Sequence, residues 1–103
     1  MIQPELFDVV ELLVNLPEDR LHSGDKGAIV ECYSDRTYEV EFTNEEGETV
    51  ALRALSDEQF IVVWKASTNN WLSISEKITA IINHLPERSQ EEVLEFAGSL
   101  YRR

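Results

Sequence analysis

Ser23-Gly24-Asp25-Lys26-Gly27-Ala28-Ile29-Val30-Glu31, with Tyr38-Glu39-Val40-Glu41-Phe42 following it, decides the fold. Glycine brackets the opening turn, and beyond it apolar and polar residues alternate. A period of two places every second side chain on one face of a strand. The two runs therefore read as the first hairpin of a small twisted barrel. Ser34-Asp35-Arg36 supplies the tight turn between them, and Tyr38, Val40 and Phe42 share one face against Glu39, Glu41 and Thr43 on the other.

Working outward, Phe7 to Val14 is β-branched enough for a strand, with a short helix as the competing reading, before Asn15-Leu16-Pro17-Glu18 breaks it. His22 to Gly27 is a loop in which glycine takes positive φ and turns the backbone sharply. On the other side, Asn44-Glu45-Glu46-Gly47-Glu48 is a polar turn with glycine where a left-handed residue belongs. Thr49 to Leu55 follows as a strand with Val50, Leu52 and Ala54 sharing a side. Ser56-Asp57-Glu58-Gln59 reads as a single helical turn capped by Ser56 or Asp57, ahead of the apolar run Phe60 to Trp64. Five short strands with a one-turn helix before the last describe an SH3-like β-barrel over residues 1–65.

Lys65 to Asn70 is small and polar without a periodic apolar pattern, and residues 66–72 read as a linker. Helical period begins just beyond, so the fold class is α+β, with an α-helical hairpin over 73–103. Ser73 and Glu76 have the spacing of a capping box, after which Ile74, Ile78, Ile81, Ile82 and Leu85 fall on one face. Pro86 stops that helix. Ser89 and Glu92 repeat the capping signature, and Val93, Phe96, Ala97, Leu100 and Tyr101 recur at steps of three and four. Neither helix is stable alone at about three turns. Their stripes must close on each other, on the barrel, or on another chain, which makes Ile78, Ile82, Val93, Phe96 and Leu100 candidate self-association residues and a homodimer through the helices an expectation.

Charge is divided unevenly along the 103 residues. The formal net charge is −11. Residues 1–66 hold fifteen Asp/Glu and five Lys/Arg, a balance of −10, while residues 67–103 hold five and four, a balance of −1. An acidic barrel repels a phosphate backbone, so no direct nucleic-acid ligand is expected. A basic protein partner fits the charge, with Glu31, Glu39, Glu41, Glu45, Glu46 and Glu48 as the candidate partner-binding residues. The apolar runs are too short to cross a bilayer, the start lacks a signal core, and Cys32 is the single cysteine. These point to a cytoplasmic protein without a membrane span or internal disulfide.

Residues from about 6 to 64 resemble an uncharacterised family of small bacterial domains. The resemblance rests on Asp8-Val9-Val10-Glu11-Leu12, Leu16-Pro17-Glu18, the turn-strand Gly24 to Glu31, and Tyr38 to Phe42. Members of that family look like accessory or antitoxin-like partners of a neighbouring gene product, and the resemblance transfers no catalytic residue. Residues 74–101, through Leu85-Pro86-Glu87 and Gln90 to Phe96, are similar to antitoxin-like small proteins whose acidic tail covers a toxin. Such a tail is missing after Tyr101-Arg102-Arg103, which leaves the acidic barrel as a substitute surface for a toxin-like partner. The G-D-x-G-x-I-V turn also resembles KOW and related SH3-like modules, many of which bind RNA or ribosomal proteins. The five basic residues of the barrel, Arg20, Lys26, Arg36, Arg53 and Lys65, are outnumbered three to one, so this stands as the alternative.

No catalytic, metal or cofactor-binding residue is expected. His22, Ser23 and Asp25 are adjacent on a loop, where they cap a turn more readily than they converge on a substrate. His84 sits near a helix end and lacks a second ligand close by in the sequence. Cys32 stands beside Glu31 in a strand, a setting that raises a thiol pKa. Glu45, Glu46 and Glu48 lack the spaced oxygens of a calcium loop. The function expected is that of a non-catalytic, antitoxin-like or immunity-like adaptor.

Overall fold

The computed structural model describes residues 2–103 and forms one antiparallel sheet followed by two helices, an α+β fold. The strands are β1 (Val9–Leu12), β2 (Lys26–Cys32), β3 (Thr37–Thr43), β4 (Thr49–Ser56), β5 (Phe60–Lys65) and β6 (Asn70–Trp71). The helices are α1 (Ile74–Asn83) and α2 (Glu87–Arg102), and a 3-10 turn spans Pro17–Asp19. Strand order is β4-β3-β2-β1-β5-β6. A closed five-stranded barrel is not what the hydrogen bonds form. Closure requires the last strand to pair back onto the far edge. Among the described residues, β6 extends β5 by two residues, and the sheet stays open between β4 and β6.

The turns follow from their residues. Asp35 and Arg36 both have positive φ, 59° and 57°, the signature of a type I′ connection whose twist matches the flanking strands. The guanidinium of Arg36 is held by Asp57 in a two-pronged contact of 2.8 and 3.0 Å, which ties this turn to the one between β4 and β5. Gly47 takes φ of 82°, as its place in the loop requires, and the Asn44 carboxamide oxygen accepts from the Glu46 and Glu48 amides. Ser56 to Gln59 is a hydrogen-bonded turn and not a helical one, because the chain re-enters the sheet at Phe60.

The core lies on one face of the sheet. Val10, Leu12, Ile29, Tyr38, Val40, Phe42, Leu55, Phe60 and Val62 are buried together, with Leu16, Leu21 and Leu72 closing the ends. Tyr38 meets Phe60 edge-on at 5.8 Å between ring centroids. Phe60 to Val63 are four consecutive buried residues, so β5 is covered on both sides. In β4, Val50, Leu52 and Ala54 do share a side, but it is the outer one: Ala51 and Leu55 point to the core. Arg53 opposes Val40, and its guanidinium is taken up by Asp19 and Glu18 at the 3-10 turn. The most apolar-looking face of that strand is thereby left to solvent.

Ser73 caps α1 through the expected reciprocal pair, its hydroxyl accepting from the Glu76 amide and its own amide donating to the Glu76 carboxylate. The second capping signature is not used. α2 starts at Glu87 after Pro86, a residue suited to a helix entrance, so Ser89 and Glu92 already lie inside the helix. Gln90 Nε2 donates to the carbonyls of Ile82 and Leu85 and caps the end of α1. The helices touch little beyond this corner, and neither has a buried residue.

Gly27 lets β2 and β3 approach closely. A Cβ there would lie 2.7 Å from Val40 Cγ1 and 2.8 Å from the Glu41 carbonyl oxygen. Gly27→Ala is expected to lower stability by about 1–3 kcal/mol through overpacking. Urea unfolding measures it, and an unchanged midpoint contradicts the close β2–β3 approach.

Candidate functional site

Alternation along Asp8-Val9-Val10-Glu11-Leu12 puts Asp8 on the same side as Val10 and Leu12, and the structure buries it completely. A carboxylate out of water must be paired and hydrogen-bonded. Asp8 Oδ2 accepts from Lys65 Nζ at 2.6 Å and from the Glu5 amide at 2.9 Å, while Oδ1 accepts from the Ala66 amide at 2.9 Å. Lys65 Nζ also donates to Glu5 Oε1 at 2.7 Å and to the Gln3 carbonyl at 2.9 Å. Burial alone would lower the Lys65 pKa, but the bonds to Asp8 and Glu5 outweigh it and hold the ammonium above its ordinary value. This clasp joins the N-terminal segment to the end of β5, where the chain leaves for β6 and the helices.

The face opposite the core is the surface that this frame presents. Strand register lines up Leu52, Glu41, Ala28, Val9, Trp64 and Trp71 across all six strands. A second row sets Ala54, Glu39 and Glu31 side by side. Glu31 directly opposite Glu39 is a like-charge pair that disfavours the sheet. It is eased by the Tyr33 hydroxyl, which donates to Glu39 Oε1 at 2.9 Å. That bond, followed by burial and the surrounding carboxylates, pushes the phenol pKa up. Thr49 does the same service for Glu41, donating its hydroxyl to Oε2. Between the acids lie exposed apolar groups: Leu52 is 55% exposed, and Trp71, which tilts against Trp64 at 6.3 Å, is 62% exposed.

The six candidate acids divide by place. Glu31, Glu39 and Glu41 occupy this outer face, while Glu45, Glu46 and Glu48 are exposed in the β3–β4 loop at its end. The Asn44 carboxamide donates to Glu48 and lowers its carboxyl pKa, so this charge persists into acid. Cys32 ends β2 on the surface, and partial burial, then the Glu31 charge, raises its thiol pKa, an environment that suppresses thiolate. Asp25 accepts from the His22 amide at 2.8 Å on an exposed loop, the arrangement of a self-capped turn. Among the described residues, no group of three or more His, Cys, Asp or Glu is placed to hold a metal, and no helix is long and apolar enough to cross a membrane.

A cleft of about 580 Å³ opens between α1, β5 and the N-terminal segment. Its floor is Phe60, Ile61, Val62 and Leu72, and its rim holds Arg36, Asp57, Glu58, Glu76 and His84. The rim groups already engage one another: Arg36 holds Asp57, Glu76 holds the start of α1, and His84 bridges the carbonyls of Ala80 and Asp57 at 2.8 and 2.7 Å. Ser75, Glu76, Thr79, Ala80 and Asn83 face this cleft. The isoleucine stripe of α1 consequently turns outward, with Ile74, Ile78 and Ile81 exposed and Ile82 half-buried. On α2, Phe96 and Leu100 are exposed and Val93 is half-buried.

A family model described as a domain of unknown function, DUF4926, matches residues 6–62, more than half of the chain, and the chain belongs to that family. The match spans β1 to the start of β5, including Asp8 and the acidic face, and ends before β6 and the helices. No curated protein and no solved structure matches the chain.

The clasp has two measurable consequences. Lys65→Met strands the buried Asp8 carboxylate and is expected to cost about 3–5 kcal/mol, with Asp8→Asn in the same chain recovering part of it. Because the folded Lys65 pKa is raised, its stabilisation is complete below the ordinary value of 10.5 and is lost as pH climbs through the folded value. Denaturant midpoints should therefore fall in that alkaline window in the wild type and fall less in Lys65→Met. Equal alkaline slopes in the two proteins contradict the assignment.

Proposed function

We propose that the protein is a non-catalytic interaction module whose outer sheet face receives a basic protein partner, in an antitoxin-like or immunity-like adaptor role toward a neighbouring gene product. The observation that carries the reading is the cluster of Glu31, Glu39 and Glu41, in two adjacent cross-strand rows, beside exposed Leu52 and Ala54 on the sheet. Exposed apolar area beside charge of one sign suits protein docking, with the acids steering a cationic partner and fixing its orientation. The β3–β4 loop extends the same negative potential through Glu45, Glu46 and Glu48. Strand order with β1 between β2 and β5 supports reading the sheet as an SH3-like module. The cytoplasm suits such an adaptor and its lone thiol.

A second reading is favoured by one feature. Trp71 and Trp64 offer a stacking surface at the far edge of the same face, which fits a KOW-like module associating with RNA or a ribonucleoprotein. The net charge of −11 weighs against direct contact with phosphates.

Affinity capture with wild type and with Glu39→Lys/Glu41→Lys, each over a salt series, separates these. The expected result is a basic protein bound at low salt, released as ionic strength rises, and lost with the double reversal. Capture that ignores both salt and charge reversal contradicts the proposal. A gel shift with RNA that strengthens in the reversed variant and is sensitive to Trp71→Ala favours the second reading.

A further inference from the structure

The outward stripes of the two helices leave a surface that the chain does not cover, and α2 carries a charge pattern that says what fits it. Its first part holds Glu87, Glu91, Glu92 and Glu95 against the single Arg88, and Arg102 with Arg103 follows at its end. The stripe runs between them through Val93, Phe96, Ala97 and Leu100. None of these is buried, and Phe96 is 66% exposed.

We infer that two copies of this chain associate through α2 in antiparallel register, related by a two-fold axis at the midpoint between Phe96 and Ala97. An isologous contact of this kind requires a surface complementary to itself under a two-fold rotation. Reversing α2 about that midpoint sets Val93 opposite Leu100 of the second copy and the Phe96 ring opposite Ala97, so large meets small at the centre of the seam. At the helical period Glu91 and Arg102 fall on the side of α2 away from the stripe, with the Arg102 guanidinium over its own Gly98, whereas Glu92 and Arg103 flank the stripe on one side, and the same reversal brings Arg103 of each copy to the neighbourhood of Glu92 of the other. A parallel pairing would instead set glutamates against glutamates and arginines against arginines.

Electrostatics on the larger scale agree. Two sheets at −10 each repel, whereas residues 67–103 carry only −1, so the helices are where two copies approach at least cost. The outward isoleucines of α1 lie on the same C-terminal unit and supply apolar area beyond what one helix pair offers. The inference stands apart from the sheet-face reading, since α2 contributes nothing to that face.

Sedimentation equilibrium of the whole chain over a concentration series tests it. The expected wild-type mass approaches twice 11.8 kDa with rising concentration. Phe96→Glu should give a monomer whose sheet keeps its amide protection, because α2 is not part of the sheet core. Arg103→Glu should raise the dimer dissociation constant about threefold at low ionic strength, and adding Glu92→Arg to the same chain should restore it. A wild type that stays monomeric, a dimer that survives Phe96→Glu, or a charge reversal without effect on association overturns the inference.

Discussion

The Asp8 carboxylate, held out of water by Lys65 and two backbone amides, is the constraint on which the architecture rests. Removing a carboxylate and an ammonium from solvent carries a penalty of several kcal/mol for each ion, offset only where geometry is good and the remaining lone pairs find donors. Here they do. The pair spans 57 residues of sequence and brings the start of β1 to the end of β5, which fixes β1 between β2 and β5. Ala66 donates to the same carboxylate, so the departure of the chain toward β6 and α1 is set by the same group.

From that frame follow two surfaces of different chemistry. The sheet gathers nearly all of the negative charge and places three glutamates on its outer side, one pair of them directly opposed across β2 and β3. A sheet selected for stability alone would separate Glu31 from Glu39. The opposed pair is a local cost to the sheet, eased where Tyr33 and Thr49 donate to the acids of β3. The helices have the opposite character: almost neutral, apolar along one outward side, and without a buried residue.

Much of this is legible in the residues. The period of two over Tyr38 to Phe42, the turn at Gly47 and the capping box at Ser73 each rest on local chemistry, and each stands in the structure as the residues imply. Local chemistry misleads where a neighbour decides the outcome. The side of β4 bearing Val50, Leu52 and Ala54 faces solvent because Arg53 is drawn inward by the 3-10 turn. α2 begins a turn early because Pro86 already permits it. The sheet is open, with β6, linker-like in composition, paired to β5 and the β4 edge left without a closing partner among the described residues. Of the candidate site, the acidic residues can be named from charge, but their grouping needs the register. Asp8 escapes a reading of the sequence although its parity with Val10 and Leu12 points inward, since the partner that makes such burial tolerable lies far along the chain.

The DUF4926 match takes in the acidic sheet face and ends before the helices that carry the second surface. The most direct measurement of their division of labour is amide chemical-shift mapping of the labelled protein during titration with a lysine- and arginine-rich peptide at low salt. The expected shifts cluster at Glu31, Glu39, Glu41, Leu52 and the β3–β4 loop and leave α2 unchanged. Shifts confined to α2 or to the cleft beside α1, with the outer sheet face silent, contradict it.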